Sequence, residues 1–219
     1  MIKKFVIALI IPLFYGCTTF YGVHPIKSFN SARCEKFIEN VKRDNIALST
    51  FISDSGQFRS YQLLFPDSLG RHNSVQPVQI LYFYNDSLIS YHINCYAKGK
   101  LFSLDWNTNG RFDVFPPESA VPLYEKNVTY KQISEIFDLD IKKGYHIVIF
   151  WTNMLAHISK DAVNIVLDNL EKNNICGKCE VLLINTDKFY LQVEWCNVLA
   201  VSDTDLRTLP GKSFYYRWN

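Results

Sequence analysis

The stretch from Gly144 to Asp187 constrains the fold most, because it reads strand, helix, strand. Tyr145-His146-Ile147-Val148-Ile149-Phe150-Trp151 is a run of β-branched and aromatic residues, the pattern of a buried strand. Asn153 to Lys172 then carries Leu155, Ile158, Ala162, Ile165, Val166 and Leu170 at helical spacing. Glu180 to Asn185 is a second apolar run. A strand, an amphipathic helix and a strand within about 40 residues predict a βαβ unit.

The chain upstream predicts a different texture. Cys34, Phe37, Ile38 and Val41 fall at i, i+3, i+4 and i+7, so a helix is expected from Ser31 to Arg43, with Ser31 as its cap. Two β-prone runs, Ile46 to Ile52 and Phe58 to Phe65, bracket the turn signal Asp54-Ser55-Gly56. A polar loop over Pro66 to Pro77 precedes an expected β-meander. Its strands are Val78 to Tyr84, Leu88 to Tyr96, Leu101 to Trp106 and Arg111 to Phe115. Ser90, His92 and Asn94 alternate with apolar residues, which predicts one wet face. Pro116-Pro117 stops the sheet. Glu118 to Asn127 reads as a linker, and Thr129 to Phe137 as a short helix capped by Thr129. Phe189 to Trp195 alternates as a strand would, with a short helix as its rival. The predicted fold class is α+β: a helix plus antiparallel β lobe over 31–117, then an α/β lobe over 118–219.

The first residues stand apart. Met1-Ile2-Lys3-Lys4 is a basic leader, Phe5 to Tyr15 is apolar but too short to span a bilayer, and Gly16-Cys17 follows. This Gly-Cys ending resembles the lipobox of bacterial lipoproteins, with Phe14 and Tyr15 where the commonest pattern has Leu and a small residue. The resemblance implies a signal peptide over 1–16, lipidation (palmitate among the acyl chains) of Cys17, a tether over 17–30, and a cell-envelope address. Thr18 and Thr19 carry no acidic redirecting signal, so the outer membrane is expected rather than the inner. The implied partner is the membrane itself. Whether a protein or a glycan is a further partner stays open.

Removing Lys3 and Lys4 from the 23 basic residues leaves 21, against 21 acidic ones. A neutral mature chain argues against nucleic acid as a partner. With Cys17 lipidated, Cys34, Cys95, Cys176, Cys179 and Cys196 remain, an odd number in a compartment that permits disulfides.

The run Ile147 to Met154 resembles the thioredoxin-like fold, in which a strand ends in Phe-Trp and a long helix follows. The second strand and its exit Asn185-Thr186-Asp187 resemble that fold's next strand. The resemblance implies the frame. It argues against the activity, because Leu155 and Ile158 stand at the Cys-x-x-Cys spacing that opens the helix in that family.

The only Cys-x-x-Cys, Cys176-Gly177-Lys178-Cys179, follows the helix's other end, where the dipole is negative. It reads as a disulfide or inert thiols, with an exchange role and a metal site as alternatives. A zinc site lacks its second ligand pair. Asp105 to Gly110 fits the first half of a calcium loop, but Pro116 stands where a bidentate Glu is needed, and an Asn-Gly turn is the simpler reading. Trp106, Trp195 and Trp218 could form a sugar platform or pack inside. No catalytic set assembles and no cofactor is implied. The expected function is a membrane-anchored, non-enzymatic binding or scaffold module. A thiol-disulfide protein using Cys176 and Cys179 is the alternative, and a calcium- or sugar-binding lipoprotein is another.

Overall fold

The computed structural model describes residues 26–65, 68–94, 106–123, 128–140 and 143–192. The strand–helix–strand stretch forms as its periodicity predicts. β4 (Tyr145–Trp151) and β5 (Cys179–Asn185) lie parallel in register from Tyr145 opposite Cys179 to Trp151 opposite Asn185. α5 (Ala156–Lys172), entered through a 3-10 turn at Asn153–Leu155, connects them. Ala162, Val163, Val166, Leu167 and Leu170 form its buried stripe.

Three more strands join the same sheet. β1 (Leu48–Ile52) pairs parallel with β5. β2 (Gln79–Tyr84) and β3 (Ser87–Ile93) form a hairpin turned at Asn85 and Asp86, and β2 lies antiparallel against β4. The order is β1-β5-β4-β2-β3, a five-stranded mixed sheet. Strands from both sides of the expected 117/118 boundary therefore share one sheet and one core. The hairpin's long-range pairing partner, β4, was not legible from local signals.

Helices cover both faces. Phe150 and Trp151 are neighbours on β4 and so point to opposite sides. Trp151 stacks on Phe37 of α1 (Ser31–Val41) at 3.9 Å. Phe150 packs against Phe58 and Tyr61 of α2 (Ser55–Leu63) and Phe137 of α4 (Tyr130–Phe137). α3 (Ser68–Ser74) follows α2, and α6 (Asp187–Tyr190) brings Phe189 to within 4.9 Å of Phe58.

Several local expectations give way. Ser55–Leu63 is a helix, not a β run: Asp54 accepts from the Gln57 N–H while the Gln57 side chain accepts from the Asp54 N–H, a reciprocal cap. The Asp-Ser-Gly signal marks a helix start. α3 lies within the expected loop. α1 is capped by Asn30 rather than Ser31. Asn107 to Asp113 is no hairpin: Thr108–Asp113 is a 3-10 segment with Asn109 and Gly110 in the left-handed region. Phe189 and Tyr190 are helical, as the rival reading has it. Of the expected strand Leu101–Trp106, Trp106 lies in a turn, and residues 101–105, the turn at 98–100 and the segment 193–219 lie outside the described residues.

The 3-10 segment explains the one face expected to be wet. Asn169 Nδ2 donates to the carbonyls of Phe112 and Val114, and Lys172 pairs with Asp113 at 2.7 Å, fixing the segment to α5. Trp106 and Phe112 then close over His92, which is fully buried with Ser90 Oγ 3.0 Å from its Nε2. Burial, with Arg111 adding to it, pulls the His92 pKa down from 6.5 to about 3. The neutral ring is favoured in the fold, so this contribution to stability is whole above pH 6.5 and is lost as pH falls toward 3. Between pH 7 and pH 4 it amounts to about 3 kcal/mol. His92→Gln is expected to flatten that part of the acid limb in urea titrations run at the two pH values. An unchanged slope would show that the imidazole is not the group concerned.

Candidate functional site

β4 and β5 run in the same direction, so their carboxyl ends lie side by side, the usual position of a ligand crevice in an open α/β sheet. Both strands leave the sheet through polar pairs, Thr152-Asn153 and Thr186-Asp187. Thr186 donates through N and Oγ1 to the Trp151 carbonyl, which locks the two exits together. The Asp187 N–H donates to Asn185 Oδ1, aiming the carboxylate back across the sheet end.

That carboxylate is 2 % exposed and well provided with donors. Its Oδ1 accepts from Thr152 Oγ1 and from the Asn153 N–H, each at 2.7 Å. Its Oδ2 accepts from Asn153 Nδ2 at 2.7 Å. Thr152 Oγ1 in turn accepts from the Met154 N–H, and Ser159 Oγ donates to the Thr152 carbonyl. Asp187 thus places a negative charge at the entrance to α5, where the helix dipole and free N–H groups favour it. Charge-assisted bonds of this length are the strong ones.

α1 supplies the fourth member. Cys34 is buried, its Sγ 3.8 Å from Asp187 Oδ2 and 3.4 Å from Asn153 Nδ2. Burial, and then the Asp187 charge, push its pKa from 9.0 up to about 11. It is a thiol at neutral pH, donating toward the carboxylate, and not a thiolate nucleophile.

In front of Asn153 and Asp187 lies a pocket of ≈ 260 Å³. Its outer wall is the chain entering α1: Lys27, Ser28 and Asn30, together with Arg33 of the first turn. Ile26 and Phe29 pack against the core and hold this wall in place. Lys188 reaches over the Phe29 ring, 5.2 Å from its centre.

No family model, no curated protein and no solved structure matches this chain.

The residues expected from the sequence fall elsewhere. Cys176 and Cys179 sit past the far end of α5, whose 17 residues set them about 25 Å from the pocket. Both are free, and no disulfide joins them. Their spacing places Cys176 in a 3-10 turn and Cys179 at the start of β5. Burial, with Cys176 nearby, pushes the Cys179 thiol up to about 12. Cys17, Cys95 and Cys196 lie outside the described residues. So does Asp105 of the half calcium loop. Its partners are engaged by the chain itself: Asn107 Oδ1 accepts from the Phe112 N–H, and hydrogen bonding to Lys172 holds the Asp113 carboxyl below the usual carboxylate range. Among the described residues no three His, Cys, Asp or Glu side chains come together for a metal. Trp106 is buried, so it offers no sugar platform, and Trp195 and Trp218 lie outside the described residues. His146 lies in the core under the Tyr130 ring, and His157 faces solvent beside Asp161.

The Cys34–Asn153–Asp187 cluster was not assembled by sequence reasoning. The available signal was the pair of polar strand exits, Thr152-Asn153 and Thr186-Asp187, two residues of each facing the same end of a parallel pair. Cys34 gave none, since its spacing on α1 is that of any core residue.

Proposed function

We propose that this chain is a lipid-anchored cell-envelope protein, held to a membrane through Cys17, whose folded part is a non-enzymatic binding module built on a thioredoxin-like frame. The sequence supports the anchor through its basic leader, short apolar stretch and Gly16-Cys17. The observation that carries the binding reading is the entrance to α5. Where the thioredoxin-like family opens this helix with a dithiol, this chain has Leu155, buried, and Ile158, half-buried. Among the described residues the nearest thiol, Cys34, is held protonated, and the charge at the entrance is the carboxylate of Asp187, fixed by three bonds of 2.7 Å. Such an arrangement is rigid and polar, suited to presenting a pocket rather than to exchanging a bond. The alternative of a thiol-disulfide protein working through Cys176 and Cys179 has against it their position past the C-terminal end of α5, where the helix dipole disfavours a thiolate.

The anchor is tested by membrane fractionation. Cys17→Ala is expected to move the chain from the membrane fraction to the soluble one, because several acyl chains, at about 0.8 kcal/mol per buried CH₂, are lost together. A variant that stays with the membrane after a salt wash removes the anchor from the proposal.

A further inference from the structure

We propose that the pocket at the ends of β4 and β5 receives a phosphate group, held by Lys27 and Arg33. The inference rests on the binding reading above and supplies the chemistry of the ligand.

The first argument is charge. Some cations on the described surface meet carboxylates: Arg43 bridges Asp168 and Glu171 at 2.6 Å each, Lys172 meets Asp113, and Lys131 lies beside Glu135. Lys27 and Arg33 line the pocket, are exposed, and form no ion pair among the described residues. Lys188, which follows Asp187 in the chain, lies over the Phe29 ring in a cation–ring contact. Two cations, Lys27 and Arg33, therefore line a pocket with one carboxylate, Asp187. That carboxylate is turned inward, with both oxygens engaged by Thr152 and Asn153. It cannot swing out to neutralise the mouth without abandoning buried bonds.

The second argument is shape and donors. The pocket, at ≈ 260 Å³, is smaller than the roughly 300 Å³ at which drug-sized ligand sites begin, and suits a headgroup-sized anion. The guanidinium of Arg33 offers paired N–H donors matched to phosphate oxygens, Lys27 adds a point charge, and Ser28 and Asn30 add polar side chains at the same wall. The third argument is position. The wall bearing Lys27 begins at Ile26, nine residues after Cys17, so under the proposed anchor it lies within about 30 Å of the attached lipid. A phosphate at a membrane surface is within reach of this site, as is a free one.

The test uses the full chain in zwitterionic detergent, titrated calorimetrically with three probes: inorganic phosphate, a short-chain phosphatidic acid below its micellar threshold, and the matching diacylglycerol. Both phosphate probes are expected to bind and the diacylglycerol not to. Binding is expected to weaken at least tenfold in Lys27→Gln/Arg33→Gln and to fall as salt rises from 50 to 500 mM. Both positions are exposed, so the double variant is expected to melt with the parent. Tighter binding of the lipid phosphate assigns the site to a membrane headgroup, and equal binding assigns it to soluble phosphate. No binding of either phosphate probe at millimolar concentration overturns the inference, and so does binding that survives the double substitution. Release of Cys17→Ala from membranes is a separate readout. It can hold while the phosphate inference fails.

Discussion

Asp187→Ala is expected to cost about 3–5 kcal/mol, the range for removing one partner from a buried charged network. The loss is not one bond. Thr152 Oγ1, the Asn153 N–H and Asn153 Nδ2 all donate to this carboxylate, and all are buried. Each loses its acceptor at the buried back wall of the pocket. For a domain of this size that is a drop in Tm of roughly 10 °C. A urea titration is expected to show a lower midpoint with an unchanged slope. Asp187→Asn keeps the shape and one acceptor but turns an N–H₂ toward donors, and is expected to cost about 1–3 kcal/mol. If Asp187→Ala melts with the parent, the carboxylate does not organise the entrance to α5.

Phe58→Ala is the second large effect, and its cause is packing. Phe58 is fully buried, with ring centres of Phe189 at 4.9 Å, Phe150 at 5.5 Å, Tyr61 at 5.6 Å and Tyr190 at 6.2 Å. It joins α2 and α6 to the sheet. Truncating a Phe in such a setting costs about 3–5 kcal/mol, the transfer of the side chain plus the cavity left behind. Leu63, on the same helix but 77 % exposed, is the control: Leu63→Ala is expected to stay within about 0.5 kcal/mol of the parent. The pair also tests the conformation. Phe58, Tyr61 and Gln62 are buried together at helical spacing, whereas a strand over the same residues would send Tyr61 to the face opposite Phe58 and Gln62.

These two residues show what the sequence discloses and what it hides. The βαβ unit was legible because its strands are buried on both faces and its helix carries one apolar stripe, patterns that survive any tertiary context. The cap at Thr129 was legible for a similar reason, since its hydrogen bonds are local. α2 was not, because Phe58, Tyr61 and the following Phe65 are β-prone, and the reciprocal cap between Asp54 and Gln57 decides the matter over that preference. Alternation places His92 on a wet face because it reports the strand's own pattern, not the segment of Trp106 and Phe112 that covers it. The pairing of β2 with β4 joins residues about 65 positions apart, which no local signal encodes. The site was least legible of all. Asp187 ends one strand, Asn153 follows another, and Cys34 comes from a helix more than 110 residues earlier. The parallel register of β4 and β5 brings the first two together, and the packing of α1 against Trp151 adds the third.

The central claim is that the α5 entrance holds a fixed carboxylate and a protonated thiol, and so presents a pocket instead of performing thiol chemistry. Its most direct test is an NMR titration of cysteine labelled at ¹³Cβ in the folded chain, with the Cys34 resonance identified by its loss in Cys34→Ser. The account predicts that Cys34 keeps its thiol shift from pH 6 through pH 9, in keeping with a pKa near 11. A thiolate midpoint anywhere below pH 9 would contradict it.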